Sequence, residues 1–452
     1  MARILFISGY WPPLAPVGAV RPPKQARHWT AQGHEVRVLA VRNLDLWAAS
    51  GNAGAGAPPP PATNGFGRPI HFEADPVSGA AVAHLPWRDE PEPARPDPAA
   101  GGAPGERRAA AAQASAEAGP ATGLKAFYHA LATTPDRYGR WVRAWSAPAA
   151  ALAREWRADL IYSSGPPQCS HQLASAAARG SGVPWIAELR DLWVGNPYVR
   201  RPFPLNWWSA RLADRALSAA TGFVTVTEGA GQAMRARYGR LVEVAMNGFD
   251  PEDHAGMADP PPLDSERLTI IHAGTIYAGR RDARPLLEAM TLLDGAERDR
   301  IAVHFWHDEG AYVTGVVRQL GLQPHVAFHG LVPRAEILRI ERAADIMLLC
   351  RWDSPAEDAV IPGKLFEYIG ARRPILSVGS TRGEAADIVR AGPFGLVSNT
   401  PSEVAAWLRE RLAEKAAHGR LPDLPAERVA PYDRALQFAR VDAFARRLGV
   451  AL

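Results

Sequence analysis

Residues 3–40 read RILFISGYWPPLAPVGAVRPPKQARHWTAQGHEVRVLA, and this stretch decides the fold class. RILFISG is an apolar run of strand length. GAVRPPKQARHWTAQG is a loop running into a helix that Gly33 ends, and HEVRVLAVR is a second run of strand length. Strand, loop, helix and strand in that order form the β-loop-α-β unit that opens a doubly wound parallel sheet. The first residues, MARILFISGYW, hold too short an apolar run for a secretion signal, lack a small-residue cleavage site and meet prolines at once, so they read as a buried strand.

The alternation continues along the chain. ADLIYSSG, VPWIAELRD and TGFVTVT read as strands, and QCSHQLASAAARGSG, PLNWWSARLADRALSAA and EGAGQAMRARYG carry helical spacing. A fresh series starts at LTIIHAGTIYAGRRDARPLLEAM and passes through IAVHFWH, HVAFHGLV, ADIMLLC, RPILSVG and FGLVSN. Two successive doubly wound α/β halves are the economical architecture, with the cleft between them as the expected ligand site. The interval from about 48 to 123 breaks the pattern, being rich in Ala, Pro and Gly. Within it, RPIHFEADPVSGAAVAHLPW has two short apolar stretches flanking a Ser-Gly turn and predicts a hairpin. The remainder cannot bury much apolar surface and predicts a mobile linker or flap.

A chain of 452 residues is too long for one ordinary core. Its formal net charge of +4 does not point to nucleic acid and permits a weak attraction to acidic lipid surfaces. The two cysteines, Cys169 and Cys350, lie far apart and outside any C-x-x-C pair, so neither a disulfide framework nor a thiolate metal site is indicated, and both are expected reduced in the cytoplasm. No apolar run approaches the length needed to span a bilayer.

Residues 361–376, IPGKLFEYIGARRPIL, place Lys364 and Glu367 one helical turn apart. Two readings fit. Such pairs are ordinary surface neighbours contributing about 0.2–0.5 kcal/mol. Alternatively, a helix entered through Pro362 and Gly363 exposes its first unpaired N–H groups and the positive end of its dipole, and is a seat for an anion. Near Trp141 and Trp145, one turn apart, lie Arg137, Arg140 and Arg143. Core packing is the default reading of those tryptophans; the rival is a greasy, basic face that touches a membrane or a lipid-carried acceptor.

The opening stretch, together with IAELRDLW, VTVTEG, NGFD, HAGTIYAGRRDARPLLEAM, FHGLVPRAEI, ADIMLL and KLFEYIGARRPIL in that order, resembles the family 4 retaining glycosyltransferases of the GT-B fold. The resemblance covers both halves and nearly the whole chain apart from the Ala/Pro/Gly-rich insertion. It implies an acceptor-side Rossmann-like domain over 1–240, a nucleotide-sugar domain over 241–425, and a helix over 426–452 that returns to the first domain. It implies transfer of a hexosyl or N-acetylhexosaminyl group from a nucleoside-diphosphate sugar, with retained anomeric configuration, to a saccharide or lipid-linked saccharide in cell-surface polysaccharide or glycolipid assembly. A cytoplasmic location follows, with peripheral contact on the inner face of the plasma membrane as an option. A noncatalytic nucleotide-sugar binder and a nucleotide-sugar epimerase or hydrolase are the alternatives.

Loss of a nucleoside diphosphate leaves charge on phosphate that fixed donors must hold. The chain has no Asp-x-Asp pair, so cationic side chains are expected in place of a metal, with no cofactor. The resemblance assigns Arg280, with Lys364, to the diphosphate and Glu367 to the ribose hydroxyls, and Arg281 is a second candidate on the same loop. A solvent-facing loop is the other reading of the paired arginines. The family carries a further Glu eight residues before the ribose-binding one, where this chain has Ala359; Glu357 or Asp358 could substitute through a shifted loop. Many relatives also hold a histidine at Ser163–Gly165 and another at the place of Arg190. LRDLW resembles a branch with Arg and Asp there, which assigns Arg190 and Asp191 to the acceptor or donor-sugar side, a structural strand-end pair being the alternative. His171, a lone histidine on a small-residue helix, reads as structural or surface rather than catalytic. Gly18 would let the backbone approach the donor's phosphates or sugar, with Arg21 adding charge, or is a plain turn glycine.

Overall fold

In a computed structural model, residues 1–13, 20–45, 70–88, 130–131, 133–196, 198–199, 201–254, 260–274, 276, 280–306 and 311–452 are described. They form two compact units. The first comprises Met1–Val226, Ala230–Ala245 and Phe438–Leu452, and the second Thr227–Gly229 and Met246–Gln437.

The first unit holds β1 (Arg3–Ser8), α1 (Arg21–Ala31), β2 (Glu35–Arg42), β3 (Glu73–Ala74), β4 (Ala81–Pro86), α2 (Gly139–Glu155), β5 (Leu160–Gly165), α3 (Cys169–Ser181), β6 (Trp185–Leu189), α4 (Leu205–Leu217), β7 (Gly222–Thr225), most of α5 (Glu228–Tyr238) and β8 (Val242–Val244). Their order in the sheet is β3-β4-β2-β1-β5-β6-β7-β8. Every pairing is parallel except β3 with β4, which are antiparallel with Glu73 opposite Val82. The hairpin expected inside the insertion therefore forms. Its turn closes through Gly79, whose φ of +69° suits glycine, and β4 then extends the main sheet beside β2. The rest of the expected mobile stretch lies outside the described residues.

Continuous apolar runs mark strands covered on both faces. Phe6 on β1 is fully buried, with Trp11, Trp29 and Tyr162 packed edge-on at ring-centroid distances of 5.8, 5.8 and 5.2 Å. Each such contact contributes about 0.5–1.5 kcal/mol beyond area burial. Trp141 and Trp145 are also fully buried in α2, so the core reading of that pair holds and their rings do not form an outward greasy face. Val441, Phe444, Ala445 and Val450 join the core around Phe6, and Asp442 accepts from Trp29 Nε1 at 2.8 Å.

The second unit holds β9 (Leu268–Ala273), α6 (Arg284–Thr291), α7 (Gly295–Asp299), β10 (Ile301–Trp306), α8 (Ala311–Gln319), β11 (Val326–His329), α9 (Arg334–Ala343), β12 (Ile346–Cys350), α10 (Gly363–Gly370), β13 (Ile375–Val378), α11 (Glu384–Ala391), β14 (Gly395–Val397), α12 (Pro401–His418) and α13 (Ala426–Val429), while α14 (Arg434–Arg447) belongs mostly to the first unit. The sheet is parallel throughout, in the order β11-β10-β9-β12-β13-β14. Connections diverge between β9 and β12, and ligands of doubly wound sheets bind at the carboxyl ends of such a strand pair.

Candidate functional site

At that switch point, α10 opens on Pro362, extended at φ −61° and ψ 136°, with no side chain capping the first turn. Leu365, Phe366, Tyr368 and Ile369 are buried, which leaves Lys364 and Glu367 half-buried on the opposite side. Lys364 reaches the end of β9. A Cβ built on Gly274 would fall 2.1 Å from Lys364 Nζ, and Gly274 has φ +111°, so only glycine suits this position on both counts.

Burial pushes the Lys364 ammonium down to about 8; the Arg281 charge lowers it further, while Cys350, Glu367 and Glu341 act the other way. The ammonium has no hydrogen-bond or ion-pair partner among the described residues, so a cation is held ready beside a bare backbone. Arg281 is half-buried and close enough for its charge to be felt at Lys364. Arg280 is exposed, with its guanidinium 4.9 Å from the ring centre of Trp352, on the loop after β12.

Glu367 accepts from Arg334 Nη1 at 2.5 Å, and Arg334 Nη2 donates to Asp253 at 2.9 Å. Beneath them Glu341 is buried, its Oε2 without a partner. Burial first, and then the Glu367 charge, raise its carboxyl well above the usual range. Glu341 sits at a core-facing position of α9 in the pattern of Ile337, Leu338 and Ala344, and a carboxylate at such a spacing was the available signal that it is unusual.

On the loop after β12, Arg351 donates to the carbonyls of Ser380, Arg382 and Glu357 and so fixes the backbone. Glu357 is fully buried with neither carboxylate oxygen partnered among the described residues, and burial raises it to about 7. Asp358 is engaged by Arg382 Nε at 3.1 Å. Both acids next to Ala359 therefore keep unused acceptors among the described residues, both oxygens on Glu357 and Oδ1 on Asp358.

The first unit gathers polar groups at the carboxyl ends of β5 and β6. Glu188 is buried and accepts from Arg21 Nε at 2.9 Å and Ser164 Oγ at 2.6 Å, while Arg21 also donates to the Ala245 carbonyl at 3.1 Å. Burial alone would raise Glu188, but Arg21, Ser164 and Arg190 hold it below its ordinary value. Arg21 is thus a buried structural cation, and the expectation that it adds charge to an anion site is corrected by its ion pair. Gly18 lies outside the described residues. Arg190 is half-buried and donates to the Pro166 carbonyl at 2.7 Å, and Asp191 is exposed beside it.

His171 is buried in the same region. Trp185 Nε1 donates to Ser163 Oγ at 2.8 Å, and Ser163 Oγ shares a hydrogen bond with His171 Nδ1 at 2.9 Å. Burial lowers this imidazole to about 3, and a Cβ on Gly165 would lie 2.4 Å from Nε2. The ring is a neutral packing element.

The second unit thus brings Lys364, Arg281 and Glu367 together, with Gly274, Arg334 and Glu341 as residues the sequence reading did not single out. The first unit brings Arg190 and Asp191 to a polar strand end. Among the described residues no group of three or more His, Cys, Asp or Glu is set to hold a metal ion.

The family described as a glycosyl transferase 4-like domain matches residues 19–248. The chain is similar to 2-deoxystreptamine glucosyltransferase of Streptomyces kanamyceticus, with 28% identity over 261 residues covering 53% of this chain and 64% of that protein. It therefore spans somewhat less than two thirds of that relative's length. Sucrose-phosphate synthase from Thermosynechococcus elongatus has the same fold, with TM-score 0.59, 14% identity and 100% of both chains covered. HepE of Anabaena, solved in complex with UDP, matches with TM-score 0.59 and 14% identity over 98% of this chain and 100% of that one. The fold is GT-B.

Proposed function

Because the chain belongs to the glycosyl transferase 4-like family, we propose that it moves a sugar from a nucleoside-diphosphate sugar to a hydroxyl acceptor with retained configuration. The observation that carries this reading is the Lys364 ammonium, without a partner among the described residues, lying on Gly274 at the switch point of the second unit. In this reading Lys364 and Arg281 neutralise the diphosphate, with Arg280 free to add a third cation from the rim. Their interactions strengthen as the leaving oxygen gains charge, which lowers the barrier more than it tightens ground-state binding. Glu367, steadied by Arg334, accepts from ribose hydroxyls. Glu357 or Asp358, each with a carboxylate oxygen unpartnered among the described residues, is the candidate to meet the donor sugar beside Ala359.

The acceptor oxygen bonds to the anomeric carbon on the face from which the carbon–oxygen bond to phosphate breaks, and the acceptor proton passes to a phosphate oxygen. No protein nucleophile and no divalent ion are invoked. Arg190 and Asp191 are assigned to the acceptor or donor-sugar side. The acceptor class we favour is a saccharide or lipid-linked saccharide at a cytoplasmic membrane face. The relative named for glucosyl transfer supports a hexosyl donor, and the neighbour solved with UDP supports a uridine nucleotide.

Ala359 favours a second reading, a binder of nucleotide sugars without turnover. Thermal-shift screening of UDP-, GDP- and dTDP-sugars, followed by product analysis with and without acceptor, separates the two. Stabilisation by one donor plus acceptor-dependent release of the nucleoside diphosphate is expected. Stabilisation without release would establish the binder, release without acceptor a hydrolase, and no stabilisation by any donor would refute both leading readings.

A further inference from the structure

Between Asp191 and Asp214 the chain carries no carboxylate side chain but three arginines, Arg200, Arg201 and Arg211. The same stretch exposes aromatic surface. Helix α4 buries Leu205, Ser209, Ala213 and Ala216, one face at helical spacing, which turns Trp207, Trp208 and Arg211 outward. Phe203 is 80% exposed, Trp207 54%, Val199 45%, Tyr198 43% and Trp208 37%. In the same unit Trp11, Trp29, Trp141, Trp145 and Trp185 are almost completely buried, so this chain does not leave tryptophans outside by default. The Arg211 guanidinium lies 4.7 Å from the ring centre of Trp207, pairing cation with aromatic on the surface itself.

The basic character extends beyond this stretch. Arg201 Nη2 donates to the Pro135 carbonyl at 2.7 Å, which ties the aromatic patch to the chain entering α2. There Arg137, Arg140 and Arg143 are exposed and form no ion pair among the described residues, while the tryptophans between them point inward. The nearby Asp136 faces the protein, accepting from the backbone N–H of Cys169 at 2.7 Å and Tyr138 at 3.0 Å. The stretch thus pairs an exposed aromatic patch with Arg211, and Arg201 links it to a segment carrying three further exposed arginines.

We propose that this face of the first unit binds the surface of an anionic phospholipid bilayer. Tryptophan, tyrosine and phenylalanine place amphipathic or apolar rings at headgroup level, and arginines supply the charge that anionic headgroups lack. A second copy of the chain fits poorly, because a two-fold contact would set these arginines against one another. The patch follows β6 in sequence, directly after Arg190 and Asp191. On the proposed function, an acceptor carried in the same bilayer would be presented to that strand end. The bilayer binding itself is read without donor or acceptor, so its failure is distinct from failure of the transferase reading.

The full chain should sediment with vesicles of phosphatidylcholine and phosphatidylglycerol in equal parts, not with phosphatidylcholine alone, and should be released by high salt. Phe203→Ser with Trp207→Ser should weaken vesicle binding about tenfold or more. Arg140→Glu with Arg143→Glu should do the same, and both double variants should keep the parent's melting temperature, since all four side chains are exposed. Sedimentation of the Phe203/Trp207 variant equal to that of the parent would overturn the proposal. So would failure of the parent to bind the mixed vesicles, or a patch-dependent dimer or acidic-protein complex in place of vesicle binding.

Discussion

The Lys364 ammonium rests on the backbone of Gly274, so close that a methyl group there would fall 2.1 Å from Nζ. A strand end and a helix start, some ninety residues apart in sequence, thereby meet at one point, where the proposed function seats an anion. Gly274→Ala should displace the lysine and strain a backbone at φ +111°, costing about 1–3 kcal/mol of stability. Chemical denaturation checks the stability. Calorimetry with a nucleoside diphosphate should show affinity reduced about tenfold or more.

A partly buried ammonium with no partner among the described residues costs stability in the unliganded protein. Lys364→Met should raise the unliganded protein's stability at neutral pH by about 1–3 kcal/mol. The sign follows from proton linkage. Folding depresses this group from 10.5 to about 8, so between those values the unfolded chain binds more protons and stability rises with pH. Denaturant melts across that window should show the rise in the parent and lose it in the methionine variant.

Glu357 titrates in the opposite sense. Folding raises its carboxyl from 4.5 to about 7 through burial, so its contribution is complete below 4.5 and disappears as pH climbs through about 7. Glu357→Gln should match the parent in acid and exceed it by about 1–3 kcal/mol in mild alkali. Paired denaturation curves on either side of neutrality test this. Identical pH dependence in parent and variant would remove Glu357 from the account.

The Arg21–Glu188 pair is buried on both sides, and breaking it from one side leaves a charge without a counterion. Arg21→Met alone should cost about 3–5 kcal/mol, whereas Arg21→Met with Glu188→Gln should recover a large part of that loss. Thermal melts of the single and double variants decide the matter.

The doubly wound halves were legible because parallel strands covered on both faces are continuous apolar runs, as in RILFISG and ADIMLLC. The β3–β4 hairpin was legible from its Ser-Gly turn. Joining β4 to β2 was not, since strand partners across a long insertion leave no local trace. Lys364 and Glu367 stood out by their spacing behind Pro362. Their neighbours did not: Arg334 and Glu341 meet Glu367, and Asp253 meets Arg334, only through tertiary packing. The fate of Arg21 was misread because an arginine near a glycine loop looks like an anion ligand until its buried partner, Glu188, 167 residues away, comes into view.

On the proposed function, the second unit seats a nucleoside diphosphate with its phosphates on Lys364 and its ribose on Glu367. Calorimetric titration of UDP, GDP and their parent nucleosides into the wild type, Lys364→Met and Glu367→Ala tests it most directly. The expected result is that Lys364→Met loses diphosphate affinity about tenfold or more with nucleoside binding unchanged, while Glu367→Ala weakens both. Diphosphate affinity in Lys364→Met equal to that of the wild type would contradict the account.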